Sequence, residues 1–203
     1  IVVHENWTQV FLNNGDGTFQ DPMDYAGARG RELVVADLDG DTWLDIALAN
    51  PSLLIGLNNG DGTFASFAGP IGFSATAIAV GDVDNDGDQD LIVPNQYDRV
   101  QVLENDGSGT FTAVQVVDVD NAPTAVAVSD FDGDGDLDWA CGCQLSGSRR
   151  TVSNVSLNDG EGTFGAPVQY HWGGSRPDSL VAIDMDGDGL PDLAMGSESL
   201  TLA

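Results

Sequence analysis

Lysine is absent from the 203 residues, and the six basic residues, all arginine, stand against 33 Asp and Glu. The formal net charge of −27 excludes nucleic acid and anionic membrane surfaces as electrostatic partners, because phosphate binding needs clustered cations. Only two cysteines occur, Cys141 and Cys143, too few for a disulfide-stapled scaffold. Two residues apart in one strand, they share a face with Cβ atoms ~6–7 Å apart, where a disulfide needs ~3.8 Å, so they read as packed thiols. No apolar run approaches the ~18 residues of a membrane helix, and no apolar stripe of helical period occurs. Membrane insertion is not expected. The two histidines, His4 and His171, belong to no Ser-His-Asp ordering, and no phosphate-cradling loop is present. The chain opens at Ile1 without an initiator Met or a signal-like segment, and reads as a mature or trimmed piece of a longer product.

What is abundant is glycine, 26 residues or about 13% against a usual ~7%, together with 41% apolar residues, enough for a core. The glycines fall in repeats. A turn motif recurs as LNNGDGTF at 12–19 and 57–64, LENDGSGTF at 103–111 and LNDGEGTF at 157–164. Between these copies lie DLDGDTWLD at 37–45, DVDNDGDQD at 82–90, DFDGDGDLD at 130–138 and DMDGDGLPD at 184–192, starting 45, 48 and 54 residues apart. Short Val/Ile-rich segments lead into and out of each acidic loop. Each unit therefore predicts strand 1, acidic loop, strand 2, short loop, strand 3, Asn-Gly-type hairpin turn and strand 4, which is the pattern of a propeller blade. The fold class is all-β, a β-propeller of four-stranded antiparallel blades within a single domain. Its parts are a partial blade at 1–30, blades at 31–75, 76–123 and 124–177, and a partial blade at 178–203. The strand count of 18 exceeds the 16 of a closed four-bladed ring. The chain is expected to be a segment of a larger ring of about seven blades, or a compact four-bladed propeller closed by pairing its partial ends.

The pairing of a DxDxDGxxD loop with an NGDGTF turn resembles the FG-GAP/VCBS repeats of integrin-α-like β-propellers over essentially the whole chain. That resemblance implies an extracellular or cell-surface protein, and it says little about function, since the fold hosts adhesins, lectins and lyase-type enzymes.

Carboxylates at positions 1, 3, 5 and 9 of a nine-residue loop, with a backbone carbonyl at 7, can wrap one hard cation. The candidate ligands are Asp37, Asp39, Asp41, Asp45 and the carbonyl of Trp43; Asp82, Asp84, Asp86, Asp90 and the carbonyl of Asp88; Asp130, Asp132, Asp134, Asp138 and the carbonyl of Asp136; and Asp184, Asp186, Asp188, Asp192 and the carbonyl of Leu190. With position 9 bidentate and one water, about seven oxygens suit Ca²⁺ better than the six of Mg²⁺, and the lack of His or Cys disfavours zinc. About four Ca²⁺ are expected. Position 6 is Gly in three loops but Thr42 in the first, so a left-handed backbone there would make the first site the weakest. The turn residues Asp16, Asp61 and Asp106 read as hairpin formers rather than ligands. Phe19, Phe64, Phe111 and Phe164 are expected to pack between blades, and Trp43 and Trp139 to be packing residues too.

Antiparallel order places the acidic loops and the NGDGTF turns at one end of the sheets. The other end receives Arg29, Arg31, Arg99, Arg149, Arg150 and Arg176 with Trp7, Tyr25, Tyr97, His171 and Trp172. Of these, Trp7, Tyr97, Arg99, Arg149, Arg150, His171, Trp172 and Arg176 are the candidate contacts for a glycan or protein ligand, since Arg and aromatics dominate recognition surfaces. The competing reading is that the arginines pair with local acids such as Asp24, Asp98 and Asp178, for ~0–1 kcal/mol each. Three classes follow: a binding module, a lyase- or dehydratase-type enzyme on carbohydrate, and a structural spacer. Further propeller repeats in a longer chain, or an oligomer partner, are the other expected neighbours.

Overall fold

The computed structural model describes residues 1–3, 7–28, 30–49, 51–69, 74–119, 122–144, 150–173 and 177–197. Among the described residues, seventeen strands form five antiparallel sheets, each a meander in chain order. The first comprises β1 (Val2–Val3), β2 (Trp7–Val10) and β3 (Met23–Ala26). The second is β4 (Glu32–Ala36), β5 (Asp45–Ala49), β6 (Leu54–Asn58) and β7 (Phe64–Ala68). The third is β8 (Ala79–Gly81), β9 (Asp90–Asn95), β10 (Arg99–Asn105) and β11 (Phe111–Asp118). The fourth is β12 (Pro123–Ser129), β13 (Asp138–Gln144), β14 (Arg150–Ser156) and β15 (Val168–Gly173), and the fifth is β16 (Pro177–Ile183) with β17 (Asp192–Ser197). The predicted third strand of the last unit, at 200–202, lies outside the described residues.

These segments become strands because β-branched and small residues alternate between two apolar surfaces, as expected of sheets buried on both faces. In β5 all five residues are buried: Ile46 and Leu48 pack toward the first sheet, Ala47 and Ala49 toward the third. The first strands of successive sheets adjoin, β4 with β8, β8 with β12 and β12 with β16, so the sheets are arrayed like blades with strand 1 innermost. Apolar clusters fill each junction between consecutive sheets. Among the described residues, no such cluster joins the first sheet to the last.

The turn phenylalanines behave as predicted in three cases. Phe64, Phe111 and Phe164 each pack against the preceding sheet. Phe19 does not: it is 59% exposed, because no described sheet precedes its own. Tyr25 departs from the expected surface position. It packs edge-on to Phe64 at 5.6 Å and to Phe67 at 5.5 Å, and its hydroxyl accepts the Phe64 N–H at 3.1 Å. Trp139 is core, with no exposed surface, whereas Trp43 is 51% exposed and lies over the turn, where a Cβ on Gly60 would meet its Nε1 at 3.0 Å. Cys141 and Cys143 are buried free thiols, Sγ to Sγ 3.6 Å, and Asn154 Nδ2 donates to Cys143 Sγ. The hydrogen bond with this neighbouring thiol, and then burial, hold the Cys141 pKa well above its ordinary value.

Candidate metal loops

Each acidic loop is a tight turn in which backbone N–H groups take hold of the carboxylates. The position-1 aspartate accepts the position-6 N–H in all four copies: Thr42 to Asp37, Gly87 to Asp82, Gly135 to Asp130 and Gly189 to Asp184, at 2.8–3.0 Å. Position 3 accepts the N–H of position 5, and position 5 that of position 7, again in all four. Positions 4 and 6 turn left-handed to permit this. Glycine serves at most of these places, but Asn85 (φ 61°) holds position 4 of the second loop and Thr42 (φ 77°) position 6 of the first. A β-branched residue in that region is strained.

The consequence is a set of carboxylates whose remaining lone pairs converge. Oxygens of Asp37, Asp39 and Asp41 lie within 4.8 Å of one another, as do those of Asp82, Asp84 and Asp86, of Asp130, Asp132 and Asp138, and of Asp184, Asp186 and Asp192. Two carboxylates at ~4 Å repel by ~1 kcal/mol in water and ~4 at an effective dielectric of 20. In the second loop Asp82 Oδ1 is buried with no hydrogen-bond partner, while the matching oxygens of Asp37, Asp130 and Asp184 accept the position-4 N–H. A buried, unpaired carboxylate oxygen facing further carboxylates fits a bound cation, and the all-oxygen donor set fits a hard one.

Position 9 has a further duty. Asp45, Asp90 and Asp138 are almost wholly buried, and each spends one oxygen on the position-2 N–H of its loop and the other on the N–H of the asparagine that opens the hairpin turn of the same sheet. Burial raises all three pKa values, that of Asp90 to about 6, with neighbouring loop aspartates adding to the shift. Glu104 was missed in the sequence. It stands where the other turns carry Leu12, Leu57 and Leu157; burial, then the charges of Asp84 and Asp86, raise its pKa, which places a further carboxylate beside the second loop. That single departure from the repeat was the available signal.

The hairpin turns use their aspartates to hold the turn itself. Asp16 and Asp61 each accept the N–H and hydroxyl of the threonine two residues on, and those bonds hold the two carboxyls below their usual range. Asp106 needs a correction: aligned on Phe111, it stands two steps earlier, where the first two turns carry Asn14 and Asn59, and its partner is Ser108.

The opposite end is less uniform. Tyr97 is 66% exposed, Trp7 half-buried, and His171 and Trp172 lie inside β15 rather than in a loop. His171 is exposed, and Trp172 Nε1 is buried without a hydrogen-bond partner. Arg99 forms an exposed ion pair with Asp118 at 3.0 Å rather than with Asp98, whose carboxylate accepts the Ala122 N–H. Asp24 accepts from Gln9. His4, Arg29, Arg149, Arg176 and the side chain of Arg150 lie outside the described residues.

A family model described as an FG-GAP-like repeat matches residues 1–48, 37–93 and 82–141. No curated protein matches the chain. Successive matches overlap on an acidic loop, so that the second and third each run from loop through sheet to next loop, and together the three cover more than half of the sequence. The chain belongs to the FG-GAP repeat family.

Proposed function

We propose that the chain is an extracellular, calcium-stabilised β-propeller module that binds a glycan or a protein. The observation that carries this reading is the fourfold gathering of carboxylate oxygens within 4.8 Å, sharpened by the orphaned Asp82 Oδ1. Calcium would supply charge neutralisation to loops that otherwise hold four carboxylates each, with positions 1, 3, 5 and 9 and the carbonyls of Trp43, Asp88, Asp136 and Leu190 as its ligands. Ligand recognition falls to the opposite end of the sheets, where the exposed Tyr97 and the unpaired Trp172 Nε1 support a site able to stack on a ring and donate one hydrogen bond. The family's common occurrence in secreted proteins supports the extracellular placement, and no helix among the described residues is long and apolar enough to cross a membrane.

Calcium titration after chelation tests the first half. Each site held at 100 times its dissociation constant adds ~2.7 kcal/mol, so four sites exceed half of a typical stability of ~5–15 kcal/mol. Excess chelator should lower the melting temperature steeply; an unchanged melt after verified metal removal sinks the reading. A glycan and peptide array tests the second half, with Tyr97→Ala and Trp172→Ala expected to abolish hits that Asp188→Asn retains. One observation favours the spacer instead: Arg99 is already held by Asp118. An array without hits would decide for it.

A further inference from the structure

The asparagines that open the hairpin turns do more than turn the chain. Asn105 is buried, and its Nδ2 donates to Leu38 O of the first acidic loop at 2.9 Å and to Gln89 O of the second at 3.0 Å. Asn158, also buried, donates from Nδ2 to Val83 O of the second loop at 2.6 Å and to Leu137 O of the third at 3.1 Å. Each thus reaches from its own sheet to the metal loop of the preceding one.

Combined with the position-9 bonds, these contacts make an unbroken series. Asp45 accepts Leu38 N–H at 2.8 Å; Leu38 O accepts from Asn105; Asn105 N–H donates to Asp90 at 2.9 Å. Asp90 accepts Val83 N–H at 2.9 Å; Val83 O accepts from Asn158; Asn158 N–H donates to Asp138 at 2.8 Å. Asp138 then accepts Phe131 N–H at 2.9 Å. Among the described residues no side chain carries the series from Phe131 on to Asp192, whose partner is Met185 N–H of its own loop.

We infer that Asn105 and Asn158 are positioning residues that couple the first three acidic loops into one cooperative calcium-binding unit. The inference rests on the calcium reading above. A cation held by Asp82, Asp84 and Asp86 orders the second loop and with it the Val83 peptide, whose N–H bonds Asp90 and whose carbonyl accepts from Asn158; through Asp90 and Asn105 that order reaches the position-2 peptide of the first loop, and through Asn158 the turn that holds Asp138. The neighbouring loops then need less ordering to bind, which is positive coupling without a large change of shape. Like charge between bound cations opposes this. The relay consists of short, buried hydrogen bonds, whereas charge–charge effects between exposed sites are damped over a Debye length of about 8 Å in 0.15 M salt.

The position-6 amides of Thr42, Gly87, Gly135 and Gly189 provide one NMR reporter per loop, since each bonds the position-1 carboxylate. Calcium is titrated into the whole chain in 0.15 M salt. Asp86→Asn, in the middle loop, should weaken binding at the Thr42 and Gly135 reporters by about fivefold or more, the lower end of common couplings. Asn105→Asp removes the donor and adds a negative charge. Through-space attraction would then raise calcium affinity at the first two loops, whereas loss of the relay lowers it there. Unchanged Thr42 and Gly135 responses in Asp86→Asn overturn the coupling, as does an equal loss at all four loops in Asn105→Asp. Wild-type reporters that ignore calcium altogether would instead refute the calcium reading beneath it.

Discussion

The two ends of the sheets are built from the same strands yet differ in kind. At the acidic end, four loops repeat the same backbone-to-carboxylate bonds almost atom for atom, and two buried asparagines tie neighbouring sheets together. At the other end the connections vary in length and composition. Some of their contacts stay within one sheet, as where Arg99 pairs with Asp118 and Tyr97 N–H is held by Asn95, and others join sheets singly: Thr76 and Thr124 donate to Pro123 O and Pro177 O, and Glu32 accepts the Ile78 N–H. The difference shows where constraint resides. A cation-sized nest of carboxylates tolerates little variation in spacing, whereas a connection that satisfies only its own backbone can change freely.

Several measurements would break or sharpen that contrast. The largest effect should come from Asp90→Ala, which strips the partner from two backbone N–H groups, those of Val83 and Asn105. At about 1–3 kcal/mol for each orphaned group, a loss of roughly 2–6 kcal/mol is expected by denaturant titration. A loss under 1 kcal/mol would mean that the acidic end is not the fold's anchor.

Next comes a pH effect from the opposite end. Glu32 begins β4, and its Oε2 accepts the Ile78 N–H of the next sheet at 3.1 Å; burial pushes its pKa up to about 7 from 4.5. The folded state thus holds the proton more tightly than the unfolded chain, so stability is highest below pH 4.5 for this group and falls as pH rises toward 7. The full span is about 3 kcal/mol, taking 1.36 kcal/mol per unit. Glu32→Gln should flatten the calcium-saturated stability profile between pH 5 and 7, and an unchanged slope would contradict the assignment.

Thr42→Gly should stabilise the protein by about 1 kcal/mol and raise calcium affinity in the first loop, because the left-handed φ of 77° costs a β-branched residue what it does not cost glycine. Thermal melts with and without calcium would show it; a loss of stability would locate the strain elsewhere. The smallest effect is expected of Arg99→Ala, within about 1 kcal/mol of parent stability, since its ion pair is exposed. Any larger change would give that end of the sheets a structural role.

Much of this was legible in the residues. The repeat spacing announced strands and loops because hairpin turns demand Gly at left-handed positions, and Gly15, Gly17, Gly60 and Gly62 are all left-handed. The strain at Thr42 followed from the same rule applied to one substituted position. Tyr25 was misplaced because its position near a connection suggests exposure, and only the neighbouring sheet supplies the Phe64 ring and N–H that draw it inward. Asn105 and Asn158 sit within the recurring turn motifs, which by themselves explain only a turn. Their second bonds reach carbonyls 67 and 75 residues away, beyond any local pattern.

By itself, the sequence determined the strand order, the acidic loops and their backbone conformation, because these depend on side-chain period and on φ preferences within nine residues. Tertiary structure alone decided which oxygens stay unpaired, as at Asp82, which asparagines cross between sheets, and which aromatic rings are covered. Those outcomes depend on burial and on partners contributed by another sheet, and desolvation acts only once the sheets are packed side by side.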